Sequence, residues 1–341
     1  MGKSYLKGNA NNMVKALILH GTDRHTYRLQ QSLQICGIQN ITVKNYRDIP
    51  TERCDIVFVD PSLPYDPTAR INSDLVCFYD CEDAPTDYEV GIAFEAMKDS
   101  IKYYCKMNWV GEDKDGIKLI GFPIASILQL PPVANVQLPE FTSQNAIPFF
   151  AGAGTFLGNH DPVKGGVYNS EEGINCLGKY EENTMYNQRI DWLLSLRKNN
   201  ISYKGGLVFR GDNLSEDWQS KYFGENVIDL KTDQLDRIGF FNNLFKYRIG
   251  LNPTGHDRNS WRIYDLMAAG SILVSTDLCN QKALYMPKEI ITIKDGEDLG
   301  TRLLELQPDY KELWKAHQEN RNIIKDLTPD KVWSDFMEQM K

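Results

Sequence analysis

Arg258 and Arg262 flank the point where a strand-like run gives way to a helical one, in the segment Tyr247–Asp277, YRIGLNPTGHDRNSWRIYDLMAAGSILVSTD. Leu251 and Asn252 end an apolar strand, Pro253 to Gly255 turn the chain out of a sheet, and Asn259 or Ser260 is the expected N-cap of a helix. A helix start presents unpaired backbone N–H groups and a partial positive charge of about half a unit, which suits a phosphate or diphosphate. Guanidinium groups beside it add charge-assisted hydrogen bonds. From Trp261 onward Ile263, Leu266 and Met267 recur at helical spacing, while Arg262 and Asp265 lie one turn apart on a neighbouring face. Gly270 is placed to end the helix, and the unalternating run SILV after it reads as a strand covered on both faces. The competing reading is an ordinary αβ unit with solvated arginines. So many donors at a helix start after a Gly-containing loop favour the anion site.

The elements needed to position such a site are legible on both sides of it. In the first part of the chain VKALILHG, NITVKNY, CDIVFVD, LVCFYDC, IKYYCKM and KLIGF read as strands. Between them GTDRHTYRLQQSLQICG, with Leu29, Leu33 and Ile35, and GIAFEAMKDS read as helices. That alternation implies a mostly parallel sheet. The stretch from Pro123 to Pro148 is rich in Pro, Gln and Asn, has weak periodicity, and is taken as the interdomain linker. A second series starts at AIPFFAGAGTFLGNH, whose apolar run ends in Gly152 and Gly154, small residues that let a ligand or a helix approach the backbone. Helices are expected at about 185–198 and 235–246, a strand at GGLVFRGD between them, and EIITIK and DLGTRLLEL as the last strand and helix of the series. The tail from Tyr310 is helical, with a break near Leu327–Asp330 and Thr328 capping a last helix that contains Val332, Trp333 and Phe336.

Composition narrows the function classes. A length of 341 residues fits roughly two domains at ~100–200 residues each, and 42% apolar with 25% charged residues is ordinary for a globular protein. The net charge of −8 disfavours nucleic acid as a partner. No apolar run reaches the ~18 residues that span a bilayer, and MGKSYLKGNANN lacks a signal-peptide core. Seven cysteines are scattered at 36, 54, 77, 81, 105, 176 and 279, without a CxxC pair or Cys/His metal spacing, so no zinc site is expected. Cys54, Cys77 and Cys105 lie in apolar runs and read as small buried hydrophobes. Together these features point to a reducing, cytoplasmic compartment.

Two α/β halves with an anion site late in the second resemble the plan of GT-B glycosyltransferases. FFAGAG followed by a helix with Arg189, and later KYRIGLNPTG…SWRIYDLMAAGSILVS, is similar to the carboxyl-terminal half of exostosin-like transferases and of the capsule-associated and protein O-glucosyltransferase group. The resemblance covers roughly Phe149 to Asp298; Asp265 stands where many relatives have Glu, and Ser271 where Cys is common after Gly270. It implies two Rossmann-like domains facing each other across a cleft, with C-terminal helices. The expected division is 1–135 for the acceptor domain, 146–325 for the nucleotide-sugar domain, and 326–341 for a C-terminal helix with the option of packing back on the first domain. It also implies transfer of a hexosyl or pentosyl group from a nucleoside-diphosphate sugar to a hydroxyl acceptor, with no metal and no cofactor.

Residue roles carry over on that basis. Arg262, with the amides at Asn259 and Ser260, would hold the diphosphate and stabilise the leaving nucleotide, which a positioned cation and a helix dipole can do in place of a metal. Arg258 would share that load, Asp265 would accept from ribose hydroxyls, and Gly152 and Gly154 would line the cleft floor. Arg189 would reach the phosphates, or else lie on its helix surface as most such arginines do. His256, beside the anion loop, reads as a solvated histidine. An inverting transfer needs an acceptor base at a strand end of the first domain. Asp80, Glu82 and Asp83 in FYDCEDAP lead, because close carboxylates raise one another's pKa; Asp60, His20 and Asp23 are further candidates. A retaining transfer needs no such base. Tyr79 and Tyr88 would stack on a sugar or belong to the core. A nucleotide-sugar epimerase of the same fold and a non-catalytic nucleotide- or sugar-binding protein are the alternatives. The expected partners are the donor and a glycan, protein or other hydroxyl acceptor, with peripheral membrane contact left open.

Overall fold

The apolar runs form two parallel sheets in the computed structural model, which describes residues 14–20, 23–61, 63, 70–80, 96–97, 99, 101–106, 109–110, 116–121, 125–153, 187–208, 230–253, 261–278, 281–282 and 284–341. The first half contains β1 (Lys15–Leu19), α1 (Asp23–Ile35), β2 (Gln39–Val43), β3 (Ile56–Val59), β4 (Val76–Asp80), β5 (Tyr103–Lys106), β6 (Trp109–Val110) and β7 (Lys118–Gly121). Two one-turn helices follow, α2 (Ala125–Leu128) and α3 (Pro131–Ala134). The second half contains β8 (Pro148–Ala153), α4 (Asn187–Lys198), β9 (Lys204–Val208), α5 (Arg237–Lys246), β10 (Ile249–Asn252), α6 (Arg262–Ala269), β11 (Ile272–Thr276), β12 (Gln281–Lys282), β13 (Ile291–Ile293) and α7 (Leu299–Leu306). The chain closes with α8 (Tyr310–Lys325) and α9 (Pro329–Glu338).

Strand order is β2-β1-β3-β4-β5-β7 in the first sheet and β13-β11-β10-β8-β9 in the second. Side chains alternate across each strand, and the alternation sorts them into separate cores. Ala16 and Ile18 of β1, with Ile56 and Phe58 of β3, face a large core that continues through Ile127, Leu130 and Ala134 to α6. Leu17, Leu19, Val57 and Val59 face a smaller core on the opposite side of the first sheet. The second sheet repeats the pattern: Leu273 joins the large core, while Ile272 and Val274 join a third one with Trp192, Leu196 and Leu303. Both β10 and β11 are buried along their whole length, as strands covered on two faces must be. Cys36, Cys54, Cys77 and Cys105 are buried free thiols within these cores.

Three features differ from the sequence reading. The expected linker contains α2 and α3; prolines open α3, where a preset φ and a missing N–H cost nothing. The short strands β6 and β12 pair antiparallel, Gln281 with Val110 and Lys282 with Trp109, and tie the two halves together. Two residues are too few to show a period. Helix α5 starts at Arg237 rather than near 235, because the Asp236 carboxylate caps it by accepting from the Gly239 N–H at 2.6 Å.

The last helix leaves the second half and packs on the first sheet. Phe336 stacks on Phe58 with ring centroids 6.2 Å apart. The Gln339 amide bonds both backbone groups of Gly121 at 2.9 and 3.0 Å, and Tyr103 Oη donates to the Met340 carbonyl. Thr328 caps this helix through the Lys331 N–H, and Val332, Trp333 and Phe336 are its buried residues.

Candidate active site

The carboxyl ends of β8, β9, β10 and β11 meet the starts of α5 and α6. Asn252, at the end of β10, is fully buried and donates to Ser275 Oγ of β11 at 2.9 Å, which fixes the two strand ends against each other. After Pro253 the chain lies outside the described residues until Trp261, so Arg258, Asn259, Ser260 and His256 lie outside them too. Trp261 stands at the N-cap position of α6 with helical dihedrals and no side-chain cap. The expected caps, Asn259 and Ser260, are among the residues outside the described ones. At the other end of α6 Gly270 adopts φ 66° and ψ 33°, the left-handed conformation that terminates a helix with least strain.

Arg262 begins α6 and turns back over β8. Its Cζ lies 4.9 Å from the Phe150 ring centroid, and Nη2 makes a long contact to the Ala151 carbonyl at 3.4 Å. The residue as a whole is partly covered, but Nη1 is buried and has no hydrogen-bond partner. Burial brings its pKa down to about 10, so the group remains cationic at neutral pH. A buried cation with an open N–H is costly unless an acceptor arrives. Gly152 makes room for it: a Cβ there would stand 2.9 Å from Arg262 Nη2 and 2.5 Å from Phe150 Cζ.

Asp265, one turn along α6, is 15% exposed. Its carboxylate does not bond Arg262; it accepts from Arg237 Nη2 of α5 at 3.2 Å. Burial outweighs the attraction of Arg237 and Arg262 and lifts the carboxyl pKa to about 6. Arg237 was not singled out in the sequence, nor was the cavity it borders. That cavity, of about 190 Å³, is lined by Gly152, Val208, Gln234, Asp236, Arg237 and Phe240. Two of its lining residues adjoin the pair on α6, Gly152 lying against Arg262 and Arg237 bonding Asp265, and its wall carries a carboxylate, a guanidinium and an amide. Arg189 is buried, 7% exposed, near the start of α4, so the surface reading of that arginine is wrong. Gln188, Arg189 and Ile190 are buried in succession, while the exposed polar face of the helix runs through Asp191, Arg197 and Lys198. Gly154 lies outside the described residues.

The first sheet brings its own ionisable groups to its carboxyl edge. His20 follows β1, Asp60 follows β3, Asp80 ends β4 and Lys106 ends β5; His20, Asp60 and Lys106 are buried. Asp80 and Lys106 are register partners on neighbouring strands. Lys106 is a residue the sequence reading passed over, because a lysine inside YYCKM reads as one more strand position. Asp23 opens α1, while Glu82, Asp83 and Tyr88 lie outside the described residues. Tyr79 belongs to the core: its hydroxyl pairs with Thr26 Oγ1 at 3.0 Å, and its ring meets Phe58 edge-on. One contact joins the two edges. Arg28 of α1 lies 4.9 Å from the Trp261 ring at the start of α6.

Among the described residues no cluster of three or more His, Cys, Asp or Glu could hold a metal, and no helix is long and apolar enough to cross a membrane.

Two parallel α/β sheets of this order, each with its own helices, define two Rossmann-like domains of GT-B type. An α-glucosyltransferase solved in complex with UDP and a 13-mer DNA containing a central A:G mismatch is similar over 96% of this chain and 99% of its own, at 12% identity and a TM-score of 0.52. AviGT4, a glycosyltransferase involved in avilamycin A biosynthesis, is similar over 96% of each chain at 10% identity, with a TM-score of 0.47. The N-terminal domain of Candida albicans trehalose-6-phosphate phosphatase is similar over 99% of this chain and 98% of its own at 8% identity, with a TM-score of 0.49. At these identities the likeness is one of fold. No protein-family model matches the sequence, and no curated protein sequence matches it.

Proposed function

We propose that the chain is a glycosyltransferase that moves a hexosyl or pentosyl group from a nucleoside-diphosphate sugar to a hydroxyl acceptor without a metal. The observation that carries this reading is Arg262: a buried cation with an unpaired N–H, at a helix start, on the carboxyl edge of a parallel sheet, beside a cavity. In this reading the diphosphate accepts from Arg262, from Arg258 and from the amides of Asn259 and Ser260. Asp265 releases Arg237 and accepts from the ribose hydroxyls, and the base enters the cavity between Gln234 and Phe240. The bond from the anomeric carbon to the diphosphate oxygen breaks, the acceptor oxygen forms the new one, and the nucleoside diphosphate leaves with its charge held by Arg262. Asp80, Glu82 or Asp83 takes the acceptor proton if the transfer inverts. Within GT-B enzymes, the resemblance of the stretch from about Phe149 to Asp298 to the exostosin-like and the capsule-associated and protein O-glucosyltransferase groups supports a place beside them.

Thermal unfolding across UDP, GDP, ADP, CMP, TDP and their sugar conjugates, without added metal, tests this directly. A ligand at a hundred times its dissociation constant stabilises the native state by about 2.7 kcal/mol. A shift with one nucleotide that disappears in Arg262→Ala supports the site and names the donor. No shift with any of them overturns the proposal. UDP comes first, and duplex DNA belongs in the acceptor panel, because the similar α-glucosyltransferase was solved with both.

A further inference from the structure

At the opposite, amino-terminal edge of the second sheet, two more arginines stand beneath the segment that joins the halves. Arg248 immediately precedes β10 and is 0% exposed. One of its nitrogens, Nη2, donates to the Pro139 carbonyl at 2.7 Å, while Nε and Nη1 are buried without an acceptor. Arg321 of α8 donates through Nη2 to the Val136 carbonyl, and its Nε is likewise buried and unpaired. Trp314, two turns before Arg321 on the same helix face, lies under Arg248 with Cζ 5.7 Å from its ring, and its indole Nε1–H is also buried without a partner. Gln318 sits between Trp314 and Arg321 on that face, but its amide nitrogen is already engaged by the Gly270 and Trp314 carbonyls at 3.0 Å each.

The charges are as unbalanced as the hydrogen bonds. Neither arginine forms an ion pair among the described residues. Burial lowers the pKa of Arg248, and the neighbouring Arg321 lowers it further, with no carboxylate among the described residues acting in the other direction. Two guanidinium groups in mutual repulsion, with three unpaired N–H positions between them and a fourth from Trp314, form a cluster of donors and no acceptor. Each unpaired buried donor costs about 1–3 kcal/mol, and a buried charge without a partner costs more.

We propose that Arg248, Arg321 and Trp314 form a binding site for a small inorganic anion of halide size, chloride in solution, which fastens the segment around Val136–Pro139 to the second domain. Full burial of Arg248 and a donor set made only of side-chain N–H groups suit a single-atom anion rather than a nucleotide phosphate. The site is separate from the one containing Arg262: the two lie at opposite edges of the second sheet, at opposite ends of α6.

Two measurements decide it. Crystals grown from the full chain and soaked in sodium bromide should show an anomalous peak in contact with Arg248, Arg321 and Trp314 Nε1. In solution, the unfolding temperature should rise saturably with sodium chloride against sodium gluconate at matched ionic strength. The chloride dependence should weaken about tenfold in Arg321→Met, the loss of one charged hydrogen bond. Arg321 is only partly buried, so that variant tests the site without depending on the folding of an Arg248 substitution. A bromide-free site together with identical chloride and gluconate curves would mean that water alone serves these donors, and overturns the proposal.

Discussion

At the carboxyl edge of the second sheet Arg262 holds a buried N–H with no acceptor, whereas His20, Asp60 and Lys106 at the same edge of the first sheet each have an interaction of their own. Both edges bury ionisable groups at strand ends. They differ in whether the protein itself completes the electrostatics. The second edge is left one acceptor short beside a cavity, so its free energy falls when an anion arrives. At the first edge the cation, Lys106, already has an interaction of its own, and the orphaned atom there is the ring nitrogen His20 Nδ1 rather than a guanidinium N–H, so whatever binds is not drawn in by an open cation. Donor affinity should therefore depend almost wholly on the second edge. Substitutions on the first should show up in turnover.

The strongest way to break that contrast is Arg262→Ala. A hydrogen bond to a charged group contributes about 1.5–3 kcal/mol, so titration calorimetry should find nucleoside-diphosphate binding weakened roughly ten- to a hundredfold. The thermal midpoint without ligand should hold or rise, since the variant removes a buried, incompletely paired cation. Equal affinity in wild type and variant would remove the difference between the edges.

Gly152→Ala tests the same edge without touching a charge. The added methyl would meet Arg262 Nη2 at 2.9 Å and Phe150 Cζ at 2.5 Å, so the guanidinium and the ring have to move. Overpacking of this kind costs about 1–3 kcal/mol, and we expect donor affinity to fall about tenfold with the secondary structure unchanged by circular dichroism. Retained affinity would mean that Arg262 is not held over Gly152 when it works.

The part of this edge that could be read from the sequence is the part carried by one short segment. Helix α6 shows its period through Ile263, Leu266 and Met267 and its end through Gly270, so Arg262 and Asp265 could be placed together at a strand-to-helix junction. The partner of Asp265 could not. Arg237 lies 28 positions earlier on another helix, and no local spacing encodes a contact made by packing two helices. Arg189 was misread for a related reason: the exposed stripe of α4 runs through Asp191, Arg197 and Lys198, and which side of the helix packs inward, with Arg189 on it, is set by the neighbouring elements. Lys106 was missed because its importance comes from strand order, which sets β5 beside β4 and thus Lys106 in register with Asp80. The two-sheet plan itself was legible from uninterrupted apolar strands, and the break at Thr328 from a cap followed by a proline.

Asp265 sharpens the comparison through pH. Its folded-state pKa of about 6 lies above the usual 3.8. Between those values the native protein holds more proton than the unfolded chain, so this group's contribution to stability falls as pH rises through that window and levels off above about 6. Donor binding should run the other way, because ribose hydroxyls donate to the carboxylate and not to the neutral acid. A nucleoside-diphosphate sugar is the right probe, since its phosphates are esterified and lack the ionisation near pH 6 of a terminal phosphate. Affinity should fall several-fold, up to about tenfold, between pH 7 and pH 5 in the wild type and stay flat in Asp265→Asn. A sloping profile in the variant would assign the titration elsewhere.

The smallest effect concerns the contact that joins the two edges. Arg28 reaches from α1 to the face of Trp261, the residue directly before Arg262. A cation–π contact at a partly exposed position contributes about 0.5–1 kcal/mol, so Arg28→Ala should weaken donor binding only two- to fivefold. Size alone would not separate a bridge from a local disturbance, but a double-mutant cycle does. If the contact couples the first domain to the start of α6, Arg28→Ala should lose its effect once Trp261 is leucine. Additive losses would mean that each residue acts separately, and the two edges would then differ in chemistry without communicating through this pair.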